Sequence, residues 1–206
     1  MRRAAFLLLA ALLALTVAAC GGGADRASAP GTTVGGSSGR FAGGELNPPS
    51  ATPDFTLRDQ SGEDISMAAQ RGKLVLVTFL YTNCPDVCPL ITQNLNRGLL
   101  QLGPKRSQVR VLAISVDPEG DTPKSVRAYA KAHHLVPEFH YLAGSRQELE
   151  QVWKAYDVAA VASDPELVEH TAYTMLVDRS GKGRVIYDSG MTSADVVHDI
   201  RLLLAI

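Results

Sequence analysis

Lys73-Leu-Val-Leu-Val-Thr-Phe-Leu-Tyr81 is an unbroken run of β-branched, aliphatic and aromatic residues. Without polar alternation, such a run makes a strand covered on both faces. Val109-Arg-Val-Leu-Ala-Ile-Ser-Val116 is a second strand of the same kind, and from Pro89 to Leu102 the residues Leu90, Ile91, Leu95, Leu99 and Leu102 recur at helical intervals. A buried strand, a helix and another buried strand form a crossover, which joins parallel neighbours. This constrains the chain to an α/β fold around a sheet with both faces covered.

The remaining elements extend that frame. Thr122 before Pro123 reads as the cap and first turn of a helix through His133, and Ser145 with Glu148 as a capping box opening a helix to about Tyr156. Thr171 to Asp178 and Arg184 to Asp188 flank the turn Arg179-Ser-Gly-Lys-Gly183, and Ser193 is placed to cap a final helix. The order β-α-β-α followed by β-β-α is the layout of a thioredoxin-like fold, a central mixed sheet flanked by helices. Asp157 to Glu169 reads as a loop longer than most that join a helix to a strand.

The amino-terminal part is of another kind. Arg2 and Arg3 precede an apolar run from Ala4 to Ala19, too short for a comfortable membrane span and read as a signal peptide over residues 1–19. Leu15-Thr16-Val17-Ala18-Ala19-Cys20 resembles the lipobox of bacterial lipoproteins. That resemblance implies a lipidated Cys20, a lipid-anchored protein at the cell membrane and a domain on its extracytoplasmic side. The other reading is an uncleaved anchor with Cys20 as a passive thiol, and the Arg-Arg pair leaves the export route open. Residues 20–49 are rich in Gly, Ala, Ser, Thr and Pro and read as a tether with a reach of roughly 30 Å. The domain is then expected over residues 50–206. With 20 Lys+Arg against 21 Asp+Glu there is no basic excess for nucleic acid.

Once Cys20 is set aside, the remaining cysteines are Cys84 and Cys88. On a helix, i and i+4 share a face with Cβ atoms about 5–6 Å apart, close enough for both sulfurs to reach one ion. Cys84 follows a buried strand and Cys88 opens a helix, where unpaired N–H groups favour thiolates. The thiolate is both metal ligand and nucleophile, so metal binding and thiol–disulfide chemistry both remain open. A structural disulfide is the bland alternative, but it would close so short a loop that it stabilises little. The spacing departs from the Cys-x-x-Cys of a thioredoxin-like reductase, and no Cys-x-x-Cys-His for covalent haem is present.

Pro53-Asp-Phe-Thr-Leu57 and the strand before Cys84 look like the opening of the thioredoxin and peroxiredoxin superfamily. Thr82-Asn-Cys-Pro-Asp-Val-Cys-Pro89, Ile114-Ser-Val-Asp-Pro-Glu-Gly-Asp-Thr-Pro123 and Glu169-His170 ahead of Met-Leu-Val-Asp together resemble the Sco/SenC family of copper chaperones. The resemblance implies that Cys84, Cys88 and His170 bind copper for the Cu(A) centre of cytochrome c oxidase. The partner it implies is oxidase subunit II or another copper-site protein. Two thiolates and an imidazole suit three-coordinate Cu(I), with Cu(II) as the other state, whereas structural zinc takes four protein ligands. A metallochaperone is therefore expected ahead of an enzyme. The competing reading is an extracytoplasmic thiol–disulfide oxidoreductase using Cys84 and Cys88, with a peroxidase a weaker third. Ala172 stands where a thioredoxin places its cis-proline, which weakens the simple reductase.

Other polar residues carry plainer expectations. By position alone His170 is as well a packed or solvated loop histidine as a ligand. Asp117 is a candidate for tuning the site, against a plain role in starting the Asp-Pro turn, and Asp121 is read as support for the following helix start. His133 and His134 are expected to be solvated at a helix end, His140 and His198 to be structural, and Trp153 to pack in the core.

Overall fold

The computed structural model describes residues 39–164, 167–170 and 172–205. Cys20 and the expected signal peptide lie outside them. All described residues belong to one unit, 34–206.

The two apolar runs become β4 (Leu74–Leu80), buried at every residue, and β5 (Val109–Ser115). They pair in parallel from Leu74 opposite Val109 to Leu80 opposite Ser115. Helix α1 (Val87–Gln101) connects them and turns Ile91, Leu95 and Leu99 to the core. It starts two residues ahead of Pro89, which a first turn tolerates because its N–H groups have no intrahelical partner. Beyond β5 lies β6 (Phe139–Leu142), also parallel. On the other side, β9 (Thr174–Val177) runs antiparallel to β4, and β10 (Lys182–Tyr187) antiparallel to β9.

Helix α2 (Pro123–Ala132) is capped by Thr122, whose Oγ1 accepts the Ser125 N–H at 3.2 Å. Helix α3 (Arg146–Ala155) has the expected capping box of Ser145 and Glu148. The last helix, α4 (Ser193–Leu204), is capped by Thr192 and not by Ser193. The box needs an acceptor three residues on, and Asp195 stands there only when counted from Thr192; its Oδ2 accepts the Thr192 N–H at 2.9 Å.

Two segments depart from expectation. The end of the expected tether is structured: Gly44–Ala51 is β1, antiparallel to β10 at the sheet edge. Phe41 is buried, and the N–H groups of Ala42 and Gly43 donate to Asp199 at 2.8 and 3.1 Å. A Cβ on Gly43 would come 2.5 Å from Val185 Cγ1, so only glycine lets the chain lie this close. An edge strand tolerates the prolines of this segment because one side of it needs no ladder partner. The folded domain therefore begins about ten residues before residue 50. The expected loop at 157–169 contains β7 (Ala160–Asp164) and β8 (Leu167–His170), an antiparallel pair apart from the main sheet. A second small hairpin joins β2 (Thr56–Arg58) to β3 (Asp64–Ser66).

The main sheet has the order β1-β10-β9-β4-β5-β6, a thioredoxin-like arrangement with mixed strand directions. Because β10 runs the same way as β4, Gly44, opposite Ile186, lies at the edge where β4 ends. No helix among the described residues is long and apolar enough to cross a membrane.

Candidate thiol and metal site

The site forms where β4 runs out. The backbone turns through Tyr81 to Cys84, whose N–H donates to the Tyr81 carbonyl at 3.3 Å, and enters α1 at Val87. Sheets of this class place their sites at the carboxyl ends of the strands. Cys84 is half-buried, Cys88 is fully buried on the first turn of α1, and both are free thiols.

The two sulfurs do not share a charge evenly. Donation from the Cys88 thiol holds Cys84 down to about 5, assisted by the N–H groups of Asp86 and Cys88 and opposed by burial. The same bond, with burial, pushes Cys88 far up. The helix start was expected to favour thiolates at both cysteines. Instead one thiolate forms at the half-buried position, and the fully buried partner keeps its proton because two adjacent anions in a low-dielectric site repel each other. The pair titrates as a unit.

Behind it lies the segment after β5. Asp117 starts the turn, its Oδ1 accepting the Gly120 N–H at 2.9 Å. A Cβ on Gly120 would meet Asp117 Oδ2 at 2.1 Å and Asn83 Nδ2 at 3.3 Å, so this turn packs directly on the cysteine loop and requires glycine for the close approach. Asp121 does not serve as an exposed helix-start residue. Its carboxylate is buried and accepts the Thr82 N–H at 2.8 Å, the Ser115 hydroxyl at 2.6 Å and the Tyr141 hydroxyl at 2.9 Å. Burial pushes its carboxyl above the ordinary aspartate value, and these bonds oppose the rise.

Next to this network, Tyr129 bonds Thr92 at 2.8 Å and packs on Tyr141 with ring centroids 5.4 Å apart. Burial moves its phenol up to about 12. Trp153 is core, and its Nε1–H donates to the Ser115 carbonyl at 2.9 Å. Asp121, Tyr129 and Tyr141 were missed as neighbours of the cysteines. The one available signal was the position of Asp121 at the carboxyl edge, four residues after Asp117.

The structure separates the histidines. His133 ends α2 with its ring 4.1 Å from that of Tyr129, and burial lowers its pKa. Asn96 Nδ2 donates to the carbonyls of His133 and His134. His140 Nδ1 lies 3.0 Å from Asp59 Oδ2, and His198 Nδ1 lies 2.8 Å from Asp199 Oδ1. The backbone of His170 ends β8, while its side chain lies outside the described residues. Four residues later, Thr174 pairs with Thr78 of β4, so the chain enters β9 at the edge where the cysteine loop leaves β4. Among the described residues no three His, Cys, Asp or Glu side chains gather into a metal-binding group. Cys84 and Cys88 are two soft donors of the kind that suits Cu(I).

A family model described as SCO1/SenC matches residues 44–205. A SCO2-like protein of Rickettsia conorii is 32% identical over 135 residues, covering 63% of this chain and 65% of its own, so the chain spans less than two thirds of that relative's length. The copper-bound structure of Bradyrhizobium japonicum ScoI is 30% identical with a TM-score of 0.67, covering 75% of this chain and 99% of that one. BsSco, a member of the Sco family of cytochrome c oxidase assembly proteins in which a disulfide switch was identified, is 28% identical with a TM-score of 0.63, covering 74% and 92%. The chain belongs to the SCO1/SenC family.

Proposed function

We propose that this protein carries copper and delivers it to the Cu(A) site of cytochrome c oxidase, on subunit II. The observation that carries the reading is the free Cys84–Cys88 pair at the end of β4, with one thiolate ready and one thiol in reserve. Cu(I) meets Cys84 first, because its sulfur is charged and reachable. Cys88 then gives up its proton as its sulfur joins the ion. His170 supplies the third ligand, a role supported by the entry of its segment at the thiol edge. Copper-bound ScoI, similar over three quarters of this chain, supports the cargo. Cys20 is the lipid attachment that holds the domain at the membrane on its extracytoplasmic side, with residues from 21 to about 38 as the tether.

Anaerobic Cu(I) titration against a competing chelator tests this on a chain beginning at Gly39, alongside Cys84→Ser, Cys88→Ser and His170→Ala. One tight equivalent is expected, abolished by either serine and weakened at least tenfold by the alanine. Weak binding indifferent to His170 refutes it.

A second reading has its own observation. A half-buried low-pKa cysteine beside a fully buried protonated one is the arrangement of an attacking and a resolving thiol, and the disulfide switch of BsSco points the same way. Under this reading the protein reduces the oxidase cysteines, and His170→Ala leaves turnover of a disulfide substrate intact.

A further inference from the structure

Helices α1, α2 and α4 lie side by side, with α1 in the middle. Asn94 Nδ2 of α1 donates to the Met191 carbonyl just ahead of α4 at 2.9 Å, and a Cβ on Gly98 would rest 3.6 Å from Val196 Cγ1. On the other flank, Thr92 meets the Tyr129 hydroxyl of α2 at 2.8 Å, and Asn96 bonds the carbonyls of His133 and His134. The outward sides of the three helices therefore form one layer over the sheet. Residues three, four and seven apart share a side of a helix. Leu90, Gln93, Arg97 and Leu100 are exposed in this way along α1, Lys124, Arg127 and Lys131 along α2, and Ala194, His198 and Arg201 along α4.

The layer differs in charge from the chain as a whole. With 20 Lys+Arg against 21 Asp+Glu the protein is close to neutral, yet α1 and α2 contain no acidic residue. Helix α4 contains Asp195, which accepts the Thr192 N–H in its cap, and Asp199, which is fully buried, while Asp86 stands ahead of α1 at the rim. Among the described residues Arg97, Lys124, Arg127, Lys131 and Arg201 form no ion pair, whereas Arg146 of α3, outside the layer, pairs with Glu119 and Glu150. Leu90 and Leu100 are the exposed large hydrophobic side chains among the described residues, and both stand on the middle helix. One exposed leucine is ordinary. Two on one stripe, with unpaired cations beside and between them, make a surface suited to the boundary of water and anionic lipid.

The chain ahead of the domain joins it at this layer. Ala42 and Gly43 donate to Asp199 of α4, and the apolar run of residues 4–19 ends about twenty residues before Gly39, which as a coil span roughly 25 Å. We propose that the layer of α4, α1 and α2 rests on an anionic bilayer, its lysines and arginines on the lipid phosphates and Leu90 and Leu100 between the headgroups. An acidic protein would satisfy the cations equally, but the two leucines and the nearby apolar run favour lipid. The inference is independent of the cargo and of any lipid on Cys20. Because α1 begins at the thiol rim, a domain resting on this layer keeps Cys84 beside the bilayer.

The test follows a tryptophan on the layer in the full chain carrying Cys20→Ser. The chain is reconstituted into vesicles of phosphatidylcholine with about one third phosphatidylglycerol, both with brominated acyl chains that quench tryptophan on contact. Leu100→Trp reports on the layer, Glu150→Trp on exposed α3, and the parent, with Trp153 alone, sets the background. Only protein that floats with the vesicles and keeps the parent's circular dichroism is counted. Quenching of Leu100→Trp is expected at about three times that of Glu150→Trp or more. Adding Lys124→Gln, Arg127→Gln and Lys131→Gln removes three charges, together worth about a hundredfold in partition. Quenching is then expected to fall to the Glu150→Trp level, as in vesicles of phosphatidylcholine alone. Equal quenching at the two reporters overturns the proposal, as does Leu100→Trp quenching that survives both the triple change and the neutral vesicles. Poly-L-glutamate that shifts the Leu100→Trp emission where brominated lipid fails to quench it gives the layer to an acidic protein and also overturns the proposal. The Cu(I) titration reads other residues, so either proposal can fail alone.

Discussion

Two buried aspartates do the same mechanical job in different places. Asp199, on α4, accepts the Tyr187 hydroxyl at 2.8 Å and the N–H groups of Ala42 and Gly43, and so fastens the incoming chain. Asp121 accepts the Tyr141 hydroxyl and the Thr82 N–H, and so fastens the cysteine loop. The difference lies in compensation. Asp199 has His198 at 2.8 Å, a group able to carry positive charge, whereas Asp121 has only neutral donors and two sulfurs beyond them. The first clasp holds the entering chain, while the second holds the loop that carries Cys84.

The largest expected effect comes from dismantling the first clasp. A chain begun at Ser50 lacks Phe41, most of β1 and both N–H donors to Asp199. Its unfolding free energy in urea is expected to fall by ~4 kcal/mol or more, on the scale of deleting one buried aromatic side chain. Next, Asp199→Ala and Asp121→Ala each orphan buried donors and are expected to cost ~2–4 kcal/mol. Only the second should also move the thiol–disulfide equilibrium, and a shift in both would erase the contrast. Smaller still, Tyr187→Phe and Tyr141→Phe should each cost ~1 kcal/mol in the same denaturation, the value of one hydrogen bond.

The pair itself gives a pH signature. The folded Cys84 pKa lies below that of an unfolded thiol, so the thiolate contributes stability at pH above about 8.5, the free-cysteine value. That contribution is lost as pH falls through about 5. Alkylation of Cys84 by iodoacetamide should therefore stay fast at pH 6. Cys88→Ala removes the main donor to the sulfur, and the rate at pH 6 is expected to drop about tenfold. An unchanged rate would show that the helix N–H groups suffice.

Much of the fold was legible because it is locally encoded. The runs behind β4 and β5 have no reading but buried strands, and Thr122 and Ser145 cap where their neighbours allow. The failures share a cause in distant partners. Gly44–Ala51 has little strand propensity of its own and takes its conformation from β10. The role of Asp121 depends on Tyr141, twenty residues on, and the uneven proton between the cysteines depends on a burial that spacing alone does not reveal. The pair was visible in the sequence, but its division of labour was not.

The entry of the chain at the edge where β4 ends has a consequence for how the protein presents itself. Gly44 is level with Val77 of β4, three strand spacings or about 14 Å across the sheet, and the cysteine loop leaves the end of that strand on the same rim. Whatever grips the chain ahead of Gly39 grips it by that rim. With the lipid attachment proposed at Cys20, the domain would hang from its working side, and a partner in the same membrane would meet Cys84 without the domain turning over.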